Sequence, residues 1–246
     1  MALEYPTVPG LDFFKLGRLQ SKWEDRYPEI SEQPGTPPTP PHSDGEVIFQ
    51  FFGPGSEPPR RIWAVGPEGR LLQSQNDRLI LNWRKLTGLE AYPGYTALRT
   101  EFGLAWSDLH DYLGKSQLPE AVPTLAEYTY VNAVPLESGE RIDDVVTIVV
   151  TPTDELPGEP MFARFQFIRD IARSEEHPFD AQIHINGEPQ KTEAGRRLMF
   201  TVTARVILGE RSGDPFAGLD AAHALASHTF ARIVTDAKKE QWGRLT

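Results

Sequence analysis

The sequence predicts an α+β fold in which antiparallel strands are followed by a long helix, twice over, behind a short N-terminal helix. Three observations predict it. Short β-rich segments recur between turn signals over residues 47–84 and again over 124–208. Each group is followed by a segment of about twenty residues with apolar positions at helical spacing, 94–113 and 217–241. The connections within each strand group are too short for parallel crossovers, so the strands pair antiparallel.

The elements follow in order. Residues 11–27 read as a short amphipathic helix with Leu11, Phe14, Leu19 and Trp23 as its apolar members, ending before Pro28. Pro34-Gly35-Thr36-Pro37-Pro38-Thr39-Pro40-Pro41 holds five prolines in eight residues and reads as a polyproline linker. A docking peptide for a proline-reading groove is the alternative, but no flanking basic residue sets a binding polarity. Val47–Phe52, Ile62–Val65, Leu71–Gln75 and Arg78–Trp83 form a meander, with Pro67-Glu68-Gly69 and Asn76-Asp77 as turns.

Tyr95, Leu98, Phe102, Ala105, Trp106, Leu109, Tyr112 and Leu113 fall on one helical face, closed by Gly114. Strands are then expected at Thr124–Val134, Asp144–Thr151 and Phe162–Arg169. Phe179, Ala181, Ile183 and Ile185 alternate with Asp180, Gln182, His184 and Asn186, which predicts one buried and one wet face before a turn at Asn186-Gly187. Leu198, Phe200, Val202, Ala204, Val206 and Leu208 form a long buried face. In the last helix Leu219, Ala222, His223, Ala226, Phe230, Ile233, Val234 and Ala237 share one side.

The organisation expected is one domain over 1–246: helix and proline-rich linker at 1–45, a first sheet-helix half at 46–135 and a second at 136–246. With 39% apolar residues in 246, a sizeable core is affordable. A formal charge of −10 disfavours broad nucleic-acid or anionic-membrane binding. Arg60-Arg61, Arg78, Arg84-Lys85 and Arg196-Arg197 read as scattered solvated charge. The absence of cysteine removes disulfides, thiol nucleophiles and sulfur-bound zinc. The opening residues lack a basic-then-apolar leader, and no apolar run is long enough to span a bilayer, so the cytoplasm is the expected address.

No catalytic motif emerges. There is no G-x-S-x-G elbow, Walker loop or dinucleotide fingerprint. His223 and His228 are five residues apart, which separates them by about 140° around a helix, so they do not share a metal. His223 reads as a buried histidine with a hydrogen-bond partner. His42 and His110 read as surface residues, and His177 after Glu175-Glu176 as a solvated turn. No catalytic residue, cofactor or metal is therefore expected.

Two polar-aromatic segments stand out: Gln73-Ser74-Gln75-Asn76-Asp77-Arg78 continuing to Asn82-Trp83-Arg84, and Glu127, Tyr128, Tyr130 and Asn132. Gln73, Gln75, Arg78, Asn82, Arg84, Glu127, Tyr130 and Asn132 are the expected contact residues of a non-enzymatic binding module with a protein partner. A sheet with a plainly polar outer face is the bland alternative. If their strands are neighbours, Glu127 can pair with Arg78 or Arg84. A small-molecule binder or enzyme, with His223 and Tyr128 facing a cavity between helix and curved sheet, is the other functional reading. A homo-oligomer paired through a free sheet edge is the third.

These residues also carry a resemblance. Trp23 with Arg26-Tyr27-Pro28, Gln73-x-Gln75, Asn82-Trp83-Arg84, Tyr92-Pro93-x-Tyr95, Glu127-x-x-Tyr130-x-Asn132, and the ending around Asp220, His223, Phe230 and Trp242 resemble a sporadically distributed bacterial family of unknown function. The resemblance covers nearly the whole chain. It implies a bacterial origin and an accessory role, and it supplies no activity, cofactor or site residues. Leu3–Val8 departs from the family's fuller first strand, being short and split by Pro6.

Overall fold

A computed structural model describes residues 1–36, 60–88, 90–149, 164–193, 195–209 and 214–242. It has two compact units, Met1–Ala126 with Gly209–Pro215, and Glu127–Leu208 with Phe216–Thr246. The expected strand Val47–Phe52, His42 and the Pro37–Pro41 part of the proline run lie outside the described residues.

The first unit contains β1 (Ala2–Glu4), α1 (Phe13–Gln20), β2 (Glu29–Pro34), β3 (Arg60–Val65), β4 (Arg70–Gln75), β5 (Arg78–Trp83) and α2 (Tyr95–Lys115). Its strands lie in the order β2-β3-β4-β5-β1, and each neighbouring pair is antiparallel. The Ile62–Trp83 part of the meander is as expected, and β2 is an added strand where the sequence suggested only linker. Strand β1 is no frayed edge. It pairs with β5, and on its other side Glu4 O accepts from Thr124 N at 2.8 Å.

The β3–β4 hairpin turns on Glu68 and Gly69, both at positive φ (54° and 80°), and Arg70 N donates back to Pro67 O at 3.2 Å. These are the dihedral signs of a type I′ turn, whose twist suits flanking strands. A Cβ on Gly69 would lie 1.9 Å from Arg84 O, so only glycine lets the chain after β5 pass so close.

Ile62, Ala64, Leu72, Leu79, Leu81 and Leu3 share one face of this sheet by register, and all are buried. Helices α1 and α2 cover it, α1 against β3 and α2 against β5. Side chains of α2 also anchor the segment after α1. Asp108 receives Trp23 Nε1 at 3.1 Å and the Arg26 guanidinium, while Glu101 receives the Tyr27 hydroxyl and Arg70 Nε. Burial, and then this bond to Glu101, raise the Tyr27 pKa well above the ordinary phenol value.

Helix α1 is shorter than expected. Asp12 caps it, accepting from Lys15 N at 2.9 Å, and turns replace it after Gln20. Phe14, expected on its apolar face, is 82% exposed. Helix α2 does not end at Gly114. It continues to Lys115, and Gln117 takes the left-handed position at φ 54°. Gln117 N donates to Gly114 O and Leu118 N to Leu113 O, the paired bonds of a Schellman stop built without its usual glycine.

The second unit contains most of β6 (Leu125–Leu136), then α3 (Ile142–Val145), β7 (Phe165–Ile171), β8 (Ala181–Thr192), β9 (Gly195–Ile207), α4 (Pro215–Ile233, its first residue in the other unit) and α5 (Asp236–Gln241). Its strands lie in the order β6-β9-β8-β7. The expected strand at Asp144 is instead the end of α3. Asp144 turns back to accept from Arg141 N at 2.8 Å, which closes a helical turn.

The expected turn at Asn186-Gly187 also fails. Gly187 lies inside β8, paired with both Phe165 and Phe200, and the hairpin closes between Thr192 and Gly195. A Cβ on Gly187 would stand 2.0 Å from the Phe165 ring, so the glycine exists to seat that ring. The expected helix over 217–241 is two helices. Val234 leaves the helical path to bridge Val146, and Thr235 starts α5, its hydroxyl accepting from Lys238 N. The break rotates the buried face, so Ala237 is exposed and Lys238 is buried, held by Glu140 at 2.6 Å.

Two outcomes follow for stability. Gly187→Val forces the Phe165 ring off β8 and lowers unfolding free energy by about 1–3 kcal/mol. Gln117→Gly relieves the left-handed residue and raises it by about 0.5–1 kcal/mol. Urea denaturation midpoints at constant slope check both.

Candidate functional site

The other face of the first sheet is polar. Register aligns three rows across it: Gln75–Arg78–Glu4, Trp63–Gln73–Ile80–Ala2, and Val65–Leu71–Asn82, with Arg61 on the same face of β3 as Trp63. Gln73, Gln75, Arg78 and Asn82 are thus brought together by strand alternation. Arg84 follows β5 and is held beside Gly69, to whose carbonyl its N–H donates at 2.8 Å. Gln73, Gln75 and Arg78 are only 5%, 1% and 4% exposed. These three are therefore not on a wet face, whereas Arg61, Trp63, Asn82 and Arg84 beside them are half-exposed.

Two of these residues are engaged within the unit. Arg78 Nη1 meets Glu4 at 3.2 Å and its Nε meets Asp77 at 3.1 Å. Gln75 Nε2 donates to Asp77 Oδ1 at 2.8 Å and to Thr36 O at 2.9 Å, and Gln75 Oε1 accepts from Thr36 N at 2.9 Å. The amide of Gln75 thereby pairs with a backbone residue as a neighbouring strand would.

Gln73 is different. Its Oε1 is buried and has no hydrogen-bond partner among the described residues. Its cross-strand neighbour Trp63 has an unpartnered Nε1, and two guanidiniums lie over the Trp63 ring, Arg61 at 5.4 Å and Arg84 at 5.7 Å. Cation–π contact holds both in place. Each has a buried Nε without a partner, and neither has a carboxylate partner among the described residues. Burial, then the charge of Arg78, lower the Arg61 pKa. Arg61 and Trp63 were missed in sequence because Arg60-Arg61 reads as surface charge. The usable signal is the i, i+2 spacing of Arg61 and Trp63, which places them on the face of Gln73 once β3 and β4 pair. Arg60, on the opposite side, binds Glu32 at 3.0 Å.

In the second unit the three expected contact residues divide. Glu127 is on one face of β6, whereas Tyr130 and Asn132 are on the other. Glu127 pairs neither with Arg78 nor with Arg84. It receives Arg205 Nε at 2.8 Å, because β9 is the neighbour of β6. That face continues through Thr129–Thr203 at 3.0 Å, and Gln182 Nε2 donates to Asp170 at 2.8 Å. Gln182 and His184, expected on a wet face, are 5% and 7% exposed and hydrogen-bonded to each other. Asn132 Nδ2 is buried without a partner.

Tyr130 faces α4. Its hydroxyl lies 3.2 Å from His223 Nε2 and 3.1 Å from Ser227 Oγ. The His223 ring packs edge-on against Tyr128 at 4.9 Å, with Phe230 and Phe200 beyond. His223 thus has the hydrogen-bond partner expected of it, although it is half-buried. Burial lowers its pKa, opposed by the charge of Asp220. His110 is half-buried against Trp106, not a free surface residue.

Among the described residues, no three His, Asp or Glu side chains are grouped to hold a metal ion, and no helix is long and apolar enough to cross a membrane.

The depressed His223 pKa has a sign. The unfolded chain takes up this proton at higher pH than the folded one, so His223 costs no stability above pH about 6.5 and destabilises the fold progressively as pH falls below it. His223→Gln is expected to lose less stability than wild type between pH 8 and 5.5, measured by urea midpoints.

No protein-family model, curated protein or solved structure matches the chain.

Proposed function

We propose that the chain is a non-enzymatic protein-interaction module whose contact is the polar face of the first unit's sheet. One observation supports this reading above the rest. Arg61 and Arg84 are positioned over Trp63, beside the unpartnered Gln73 Oε1, with no carboxylate among the described residues to neutralise them. Buried donors left without acceptors are costly, about 1–3 kcal/mol each, and a fold retains them where a partner completes them. Arg84, one of the residues singled out in sequence, belongs to this cluster, and Asn82, another, lies on the same face. Gln75 and Arg78 lie in the cross-strand row next to that of Gln73. A bacterial accessory system is the setting suggested by the sequence resemblance.

A second reading, a small-molecule site or enzyme, draws on the hydrogen-bonded set Tyr130, His223 and Ser227. A histidine kept neutral beside two hydroxyls is the chemistry of a general base. Against it, the rings of Tyr128, Phe200 and Phe230 occupy the space beneath that part of α4.

Native mass spectrometry of the chain purified gently from its own host separates the readings. A retained polypeptide that falls away about tenfold more readily from Arg61→Ala and Arg84→Ala, both still folded by circular dichroism, is the expected result. Equal retention by wild type and both variants refutes the siting. A bound mass of a few hundred daltons lost with Tyr130→Phe would move the site to the second unit.

A further inference from the structure

The first unit already contains an example of what its polar face recognises. Gln75 grips the backbone of Thr36 through both its amide atoms, N–H to Oε1 and Nε2–H to carbonyl, each at 2.9 Å. Gln73 is the same side chain two residues earlier on the same strand and the same face. Its carbonyl oxygen is buried and has no partner among the described residues. An extended chain running past Gln73 can donate to it the bond that Thr36 donates to Gln75.

The neighbouring atoms specify what else that chain must bring. Arg61 Nε, Arg84 Nε and Trp63 Nε1 are three buried donors with no acceptor among the described residues. Four other arginines of this unit are matched to carboxylate: Arg26 to Asp108, Arg60 to Glu32, Arg70 to Glu68 and Glu101, Arg78 to Glu4 and Asp77. Arg61 and Arg84, standing beside one indole, have no such carboxylate among the described residues. Three donors and two uncompensated positive charges call for an anionic acceptor. Guanidinium is suited to a carboxylate by its planar fork. The net charge of −10 opposes the approach of a polyanion such as nucleic acid, so a single carboxylate fits better than a phosphate chain.

We infer that the occupant of this face is an extended peptide segment bearing a carboxylate, its backbone N–H received by Gln73 and its carboxylate by Arg61 and Arg84 beside Trp63. The inference rests on the interaction-module reading and names the partner's chemistry. Arg61 and Arg84 are half-exposed, so both can close on an entering carboxylate. The pairing resembles strand addition in its backbone bond, but a side-chain amide supplies the sheet's half of it.

The test is a titration of the full ¹⁵N-labelled chain followed at the Trp63 indole N–H, assigned by its loss in Trp63→Phe. The probe is acetyl-Ala-Glu-Ala-amide, compared with its Gln counterpart, sodium acetate and inorganic phosphate. The expected result is a saturable shift with the Glu peptide at a Kd of about 1 mM, typical of a few contacts. Arg61→Gln and Arg84→Gln are each expected to weaken it about tenfold. Neither side chain holds a buried carboxylate, so neither substitution strands a charge in the fold. Gln73→Leu is expected to weaken the Glu peptide while leaving acetate binding unchanged.

Equal binding of the Gln peptide overturns the inference, because the charge is then not read. Equal binding of acetate or phosphate overturns the peptide part and leaves a bare oxyanion site. No indole shift with any probe overturns it entirely. A host polypeptide that dissociates with Arg84→Ala while the tripeptide leaves the indole unmoved keeps the interaction module and discards the acidic peptide. Equal host retention on the Arg61 and Arg84 variants discards the module's siting as well.

Discussion

Arg78 places a full positive charge at 4% exposure between the carboxylates of Glu4 and Asp77, and the polar face of the first unit is arranged around that charge. A buried guanidinium is tolerated only when its donors are matched. Matching it here recruits three separate stretches of chain. Glu4 brings β1 alongside β5, Asp77 shapes the β4–β5 turn, and Gln75, bonded to Asp77, ties in Thr36 after β2. Removing either carboxylate leaves a charge in a dry place, a larger loss than any exposed ion pair here could cause. The Arg61–Trp63–Arg84 group lies on the same face as this matched network and has no acid among the described residues.

Periodicity revealed the apolar side of both units and little of the polar side. The alternation of Leu198 to Leu208, the helical stripe from Leu98 to Leu113 and the meander from Ile62 to Trp83 all appear where the sequence placed them, because burying apolar area dominates where each element sits. Breaks in those elements were illegible where one tertiary contact overrides local preference. Val234 is a good helical residue by pattern but finds a bridge to Val146. Asn186-Gly187 is a good turn by composition but serves a ring from the next strand.

Polar residues were harder for a different reason. Strand alternation says that Gln73, Gln75, Arg78 and Asn82 share a face, and they do. It cannot say whether that face is wet. Gln182 and His184 show the same ambiguity, being placed correctly in register yet buried. Partners across strands depend on which strands are neighbours, so Glu127 met Arg205 of β9 in place of Arg78 or Arg84. The most informative pair, Arg61 and Trp63, gains its meaning only from facing Gln73 across the β3–β4 ladder.

The Phe165 ring resting on Gly187 has a consequence for how the outer strand of the second unit finds its place. Strand β7 ends the order β6-β9-β8-β7, and a terminal strand is the one most free to slide. Sliding β7 by two residues would keep its faces correct but would set Phe165 opposite Ile185 or Pro189, whose side chains fill the space the ring needs. The glycine therefore acts as an index mark along β8. Misaligned pairings are rejected by collision as they form, and the alignment that the Gln182–Asp170 bond holds is also encoded by the absence of a single methyl group.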